Sequence, residues 1–350
     1  MLTLNFLVTK IFLLTTVSFV ITLAWTPILT HFLFRYRLGK GIRDSEHAPV
    51  FAALHQKKAG TPTMGGILVW GTTLFLIGFT ALAALAFNGV FSQLNFLSRS
   101  ETLLPLGALL ASALVGLIDD LFDIWRVGHG GGGLRMRHRF LIYFAIAAVG
   151  AWWFFFKLDW TTLWVPFYGH FDIGLWYIPF FILVIIGTAF SVNETDGLDG
   201  LAGGTLLIAF GAYGAIAFAQ GRYDLATFCG VIIGALMAFL WFNINPARFF
   251  MGDTGSMSLG VTLGIIAMLT NAALLLPVIG FIFLLETVSV IIQVISKKLF
   301  GRKVFISTPI HHHFEAKGWS EPRIVMRFWL IAGVTAILGL IIFLASRTVV

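Results

Sequence analysis

The chain has 350 residues, of which 58% are hydrophobic and only 11% charged, with 36 Phe and 11 Trp. A soluble domain is roughly 45–50% apolar and about 25% charged, so this sequence has too little polar surface to be wrapped in water. Intrinsic disorder, a coiled coil, a disulfide scaffold and a water-soluble enzyme are excluded, and a net charge of +7 is spread too thinly to suggest a nucleic-acid partner.

A membrane-spanning helix needs about 20 mostly apolar residues. Ten segments qualify, at roughly 11–33, 65–87, 103–122, 139–157, 174–192, 200–219, 224–242, 256–275, 277–299 and 325–346. Their boundaries come from charges, prolines and glycines, because a lipid-facing helix is apolar all round. The first segment is long for a signal sequence and no small-residue cleavage site follows it, so it reads as an uncleaved span. The expected fold is an all-α polytopic membrane protein, one integral domain over 1–350. The lone cysteine, Cys229, sits in an apolar stretch with no cation near it in sequence and reads as a buried, inert thiol.

Ten spans put both termini on one side. The loops 34–64, 119–139, 193–199, 243–255 and 297–327 hold 18 of the 23 Lys and Arg, leaving only Lys10, Arg99, Lys157, Arg222 and Arg347 for the other side. The positive-inside rule makes the first set cytoplasmic and both termini periplasmic. Eleven of the 16 acids lie in the same loops: Asp44, Glu46, Asp119, Asp120, Asp123, Glu194, Asp196, Asp199, Asp253, Glu315 and Glu321. A carboxylate near hydrocarbon is costly without a cation or metal, so acids at several span ends point to one shared site at that surface.

Five stretches carry the candidate chemistry. Lys57-Lys-Ala-Gly-Thr-Pro-Thr-Met-Gly-Gly66 resembles a phosphate-approaching turn but lacks the spacing of a P-loop. In Asp119-Asp120-Leu-Phe-Asp123, adjacent helical positions differ by about 100°, so one carboxylate can approach a metal while its neighbour handles a proton; a solvated helix end is the plain alternative. Asn193-Glu-Thr-Asp196-Gly-Leu-Asp199-Gly200 offers fixed acceptors and close backbone approach, or simply turn chemistry and a cap for the next span. Asn243-Ile-Asn-Pro-Ala-Arg-Phe-Phe250-Met-Gly-Asp253 supplies a carboxylate flanked by glycines, suited to Mg²⁺, and Phe249 or Phe250 to stack a base or anchor at the interface. His311-His312-His313 beside Lys317 suits anionic groups better than zinc, since three consecutive histidines do not easily ligate one ion. The glycine run after His129 reads as a linker. Glu286, with Gln293 two turns along the same face, is either functional or a structural hydrogen-bonding group.

Together these residues resemble the bacterial phospho-N-acetylmuramoyl-pentapeptide transferases, within the polyprenyl-phosphate N-acetylhexosamine-1-phosphate transferase superfamily. The resemblance rests on Gly60-Thr-Pro-Thr-Met-Gly-Gly66, Asp119-Asp120, the Asn193 to Leu201 stretch, Phe250-Met-Gly-Asp-Thr-Gly-Ser256 and Pro309-Ile-His-His-His-Phe-Glu315. It implies ten transmembrane helices in the inner membrane, a cytoplasmic site, Mg²⁺ and usually a homodimer. The implied reaction transfers phospho-N-acetylmuramoyl-pentapeptide from its UDP carrier to undecaprenyl phosphate, forming lipid I and UMP. Asp119, Asp120 and Asp253 are then the catalytic and metal-associated acids. Lys58, Asn193, Asp196, Leu198, Asp199, Asn243 and Phe250 line the uridine-diphosphate pocket, and His311, His312 and His313 lie toward the sugar-peptide. Asp123 departs from the family pattern, which places Lys there; an acid at this position resembles the N-acetylglucosamine-phosphate branch instead, and Arg139, ahead of Arg126, is expected to supply the missing cation. Transfer from UDP-N-acetylglucosamine is the alternative within the superfamily, and a cation-coupled transporter the alternative outside it.

Overall fold

The computed structural model describes residues 3–39, 58, 60–127 and 132–349; Asp44, Glu46, Lys57 and His129 lie outside them. Ten long helices follow one another: α1 (Leu4–Arg35), α2 (Ile67–Ala86), α3 (Leu103–Ile124), α4 (Met136–Trp152), α5 (Tyr177–Thr195), α6 (Leu201–Ala219), α7 (Tyr223–Asn243), α8 (Asp253–Leu269), α9 (Phe281–Phe300) and α10 (Glu321–Val349). Side chains such as Phe79, Leu82, Leu85, Leu183 and Leu330 are more than half exposed on helix faces, a surface that only lipid can cover. The chain is an all-α polytopic membrane protein in architecture.

The ten segments are not ten equivalent spans. Among the described residues eight helices are long and apolar enough to cross a membrane, and a ninth crossing is completed only if Ala273–Ile279 and Phe281–Phe300, bent by 83°, count as one. The corner falls at Gly280, just after Pro277, a common pairing at sharp helix bends. The tenth segment, α8, has 17 residues, or about 25 Å at 1.5 Å per residue, short of a bilayer core of about 30 Å. All of α8 is buried.

Its sequence explains that position. Small residues at Gly255, Gly260 and Gly264 leave no side chain where Gly66, Ala189 and Thr188 come within contact distance, the small-residue packing by which helices approach in a membrane. The hydroxyls of Ser258 and Thr262 donate to carbonyls four residues back, at 2.6 and 2.8 Å, so no polar group of this buried helix is left to hydrocarbon. Around α8 pack α3, α5 and α6, with α7 wedged between α1 and α6 and α10 closing over α6.

Between α4 and α5 the chain forms an antiparallel hairpin, β1 (Thr162–Val165) with β2 (Gly169–Asp172), which hydropathy did not reveal. Asn271, just beyond α8, accepts from the Trp164 N–H at 3.1 Å and ties the hairpin to the bundle.

Candidate active site

The acidic site forms where α3 ends and α8 begins. Gly116, on the face of α3 one turn before Asp119, lies against the backbone of Asp253 and Thr254, and any side chain there would overlap them. This close approach brings the two aspartates of α3 to the first turn of α8. The segment before α8 is pinned from the other side: Phe250 N–H donates to Pro62 O at 2.8 Å, while the N–H groups of Gly65 and Gly66 donate to Phe250 O and Met251 O at 2.8 and 2.9 Å. The two glycines of the Thr-Pro-Thr-Met-Gly-Gly stretch therefore spend their backbone donors on the Phe-Met-Gly-Asp segment, while Thr61 and Thr63 N–H donate to Lys58 O and Leu38 O. Gly252, at φ +74°, turns the chain into the helix, and a Cβ there would lie 2.6 Å from Asp120 Oδ2.

The paired aspartates take different jobs. Asp120 is fully buried, and its Oδ1 and Oδ2 accept the backbone N–H groups of Asp253 and Thr254 at 3.1 and 3.0 Å. A carboxylate on the first N–H groups of a helix satisfies donors that have no partner within it and complements its dipole. Asp119 faces another way: Oδ1 accepts from Leu134 N–H at 2.6 Å and Oδ2 meets Arg139 Nε at 2.5 Å. The Arg139 Nη2 continues to Asp253 Oδ2 at 3.0 Å. Asp253 Oδ1 accepts from Asn193 Nδ2 at 2.9 Å, and that amide also reaches Ser256 Oγ. Arg139 thus bridges the two carboxylates, whereas Arg126 is exposed at the end of α3.

Beside this centre lies a second polar cluster. Lys58 Nζ stands 2.7 Å from Asp199 and 2.5 Å from Glu321, and 5.7 Å from the Phe250 ring centroid. Asn245 Nδ2 donates to both acids, at 3.0 and 3.1 Å. Asn243 is buried, taking the Gly200 N–H on Oδ1 and donating to Phe249 O, so it fixes the Asp-Gly turn against the end of α7. The two phenylalanines separate: Phe249 is buried in the core against Phe239, while Phe250 is half-buried beside Lys58. Asp196 is half-buried at the end of α5. Leu198 packs with Leu201, Ile282 and Phe328 in an apolar cluster, a packing position that its place in the motif concealed. Sequence reasoning missed Glu321 and Asn245 as members of this cluster. The signals were an acid opening the last apolar segment and a second Asn two residues after Asn243.

The histidines occupy a short helix, Ile310–Ala316. His311 is fully buried, its Nδ1 3.0 Å from Glu286 Oε2, and it packs where Gly197 has no side chain. Burial alone would depress this imidazole, but the adjacent Glu286 carboxylate raises it above its ordinary value. His312 Nδ1 lies 2.7 Å from Glu315, and His313 Nδ1 accepts from Ile306 N–H at 3.2 Å. Gln293, two turns from Glu286, accepts the N–H groups of Val304 and Phe305 and donates to Phe305 O. Glu286 and Gln293 of α9 therefore seat the segment that follows it. Among the described residues no group of three His, Cys, Asp or Glu is arranged to hold a metal.

Fold and site together define an integral membrane transferase: the glycosyl transferase family 4 profile matches residues 102–271, which run from the start of α3 to just past α8. A signature of the phospho-N-acetylmuramoyl-pentapeptide-transferases matches residues 58–68. Curated proteins of that name are similar over most of the chain. The one from Geobacillus thermodenitrificans is 41% identical over 331 residues, covering 93% of this chain and 95% of its own. The one from Chloroflexus aggregans is 39% identical, covering 94% and 88%, and the one from Bacillus mycoides 38% identical, covering 93% and 95%. The chain belongs to the phospho-N-acetylmuramoyl-pentapeptide-transferase family.

Proposed function

We propose that this enzyme transfers phospho-N-acetylmuramoyl-pentapeptide from its UDP carrier to undecaprenyl phosphate, giving lipid I and UMP, at the cytoplasmic face of a bacterial inner membrane. The observation that carries this reading is the Asp119–Arg139–Asp253 bridge at the meeting point of α3, α4 and α8. The reaction joins a water-soluble diphosphate to a phosphate held at the membrane surface, and it needs charge stabilisation and alignment more than covalent chemistry. A site at span ends, acidic and spanned by one guanidinium, meets both demands.

The donor set fits a divalent cation. Two buried carboxylates, Asp119 and Asp253, share one guanidinium, an excess of negative charge that burial makes expensive. Mg²⁺ favours one or two protein carboxylates together with substrate phosphates. Asp253 and Asp119 would hold it, with Asp120 fixing the start of α8, and the ion would supply charge neutralisation on the diphosphate. Asp119 takes any proton remaining on the lipid phosphate, whose second ionisation near pH ~6 asks for only a mild base. That phosphate oxygen then attacks the sugar-side phosphorus. One P–O bond forms, the bond to the bridging oxygen breaks, and UMP departs with that oxygen. Arg139 moves onto the diphosphate as substrate arrives. Phe250 and Lys58 offer a ring and a cation to the uridine end, Asn193, Asp196 and Asp199 line the approach, and His312 and His313 face the sugar-peptide.

UMP release from purified enzyme, measured with UDP-N-acetylmuramoyl-pentapeptide and with UDP-N-acetylglucosamine, tests the reading. Release from the first donor alone is expected, and Arg139→Ala is expected to reduce it by about 10²-fold or more. Turnover of the second donor in preference would reassign the substrate, and full activity in Arg139→Ala would remove Arg139 from the mechanism.

A further inference from the structure

Glu321 belongs to none of the five stretches that carry the transfer chemistry, yet its carboxylate joins three of them. Oε1 receives Lys58 Nζ at 2.5 Å and the Asp199 N–H at 2.6 Å, and Oε2 receives Asn245 Nδ2 at 3.1 Å. Glu321 is the first residue of α10, where the helix dipole favours an acid, and its side chain is only 12% exposed. A carboxylate so covered is costly unless its oxygens are satisfied, and these three donors satisfy them.

The three partners depend on Glu321 unequally. The Asp199–Gly200 turn has other anchors. Asn243 Oδ1 accepts the Gly200 N–H at 2.9 Å, and Trp329 Nε1 donates to Gly200 O at 3.1 Å. Asp199 Oδ2 accepts from Asn245 Nδ2 and from the Ala247 N–H, at 3.0 and 3.1 Å, so Asn245 also keeps a second acceptor. Lys58 is placed differently. Among the described residues its ammonium has two polar partners, Asp199 Oδ1 at 2.7 Å and Glu321, and it lies over the Phe250 ring, 5.7 Å from the centroid. An ammonium has three donors, so two are fixed in the cluster and one is left to offer. Without Glu321 a single contact would hold the tip of a four-carbon stem. The side chain would then recover rotamer freedom that ligand binding has to take away again.

We propose that Glu321 is a positioning residue for nucleotide recognition: it pre-orders Lys58 beside Phe250, so that the nucleotide meets a cation already in place. The proposal rests on the reading of Lys58 and Phe250 as the uridine end of the site. Glu321 acts through Lys58 and not on the reacting phosphates.

UDP binding to purified full-length protein, measured by calorimetry, and the KM and kcat of UMP release test this. With Glu321→Ala, UDP affinity is expected to fall about tenfold, the scale of freezing one long side chain, and the KM for the UDP-linked donor to rise by a similar factor. The kcat is expected to stay within about twofold, because a contact made equally in ground and transition states leaves it unchanged. In a Lys58→Ala background, Glu321→Ala is expected to cost no further UDP affinity, since groups acting through one contact are not additive. Glu321→Gln keeps an oxygen for the Asp199 N–H, so its melting temperature is expected to match wild type. Its neutral oxygen holds an ammonium less firmly, and UDP affinity is expected to fall about threefold, which decides the matter if Glu321→Ala does not fold. Wild-type UDP affinity in both Glu321 variants, or a loss that adds in full to that of Lys58→Ala, would overturn the proposal. So would a kcat that falls while KM stays unchanged. Wild-type UDP affinity in Lys58→Ala would instead show that the uridine end lies elsewhere, a failure of the underlying reading that the Glu321 variants alone do not produce.

Discussion

Asp119 and Asp120 are neighbours in sequence, and their environments divide them. Asp120 gives both oxygens to the first backbone donors of α8, while Asp119 is held by Arg139 and Leu134 N–H. Asp120→Asn keeps an oxygen for one donor and loses the charge, so it is expected to cost about 1–2 kcal/mol of stability and to lower the melting temperature in detergent. Asp119→Asn is expected to leave melting nearly unchanged and to cut UMP release by about 10²–10⁴-fold. The reverse pattern would exchange their roles. The sequence made the pair visible and its helical angle implied two directions, but which carboxylate met a helix and which a cation depended on a segment more than a hundred residues away. His311 repeats the lesson. Its partner Glu286 is 25 positions distant, and the triplet alone read as a group suited to anionic substrate. Because the folded His311 is raised above the usual imidazole value of about 6.5, its pairing stabilises fully below that pH and is lost as pH rises through the raised value. Glu286→Gln removes the cause. The stability gap between wild type and Glu286→Gln, about 3–5 kcal/mol for a broken buried pair, is therefore expected to be largest below pH ~6.5 and to shrink as pH rises. A gap that grows with pH would show that the pair is not what holds His311.

At the scale of elements, close helix contact sets the geometry of the site. The start of α2 touches the first turn of α8 at Gly66 and Gly255, and α3 touches it at Gly116, each too tightly for a methyl group. Gly78 and Gly107, in the same two helices, have nothing within 4 Å of a built Cβ. Alanine at Gly78 or Gly107 is expected to be neutral or to stabilise by up to about 1 kcal/mol, because glycine is costly within a helix. Alanine at Gly66 or Gly116 is expected to displace Asp253 from Arg139 and to abolish UMP release even where protein is still produced. Equal tolerance at all four positions would refute this arrangement of helices. Hydropathy found the ten helical segments but gave them one status. It could not tell α8, wrapped by protein on every side, from a lipid-facing span, because both are apolar all round. The serines, threonines and glycines of α8 were the distinguishing mark, and the Pro277 and Gly280 pair marked the corner before α9.

For the whole molecule, the ends of the helices sort the chemistry. Asp119, Asp120, Asp253, Arg139, Lys58 and the three consecutive histidines gather at one end, and the hairpin and the sparse remaining cations at the other. This polarity follows from cost: charge buried at mid-membrane is expensive, so a reaction between a soluble diphosphate and a lipid phosphate has to be carried at an interface. Of the 23 Lys and Arg, 18 fall in the sequence segments assigned to one side of the membrane, and by the positive-inside rule we propose that the acidic end faces the cytoplasm. Cys229 is fully buried, so single cysteines introduced elsewhere report orientation once it is replaced by alanine. Arg248 is exposed beside the Phe250 segment and Tyr168 is 78% exposed in the hairpin at the far end. In spheroplasts, a membrane-impermeant maleimide is expected to label Tyr168→Cys directly and Arg248→Cys only after permeabilisation. Labelling of Arg248→Cys in sealed spheroplasts would invert the molecule and leave the site on the wrong side for a UDP-linked donor, whereas the expected pattern puts both substrates within reach of Asp119, Arg139 and Asp253.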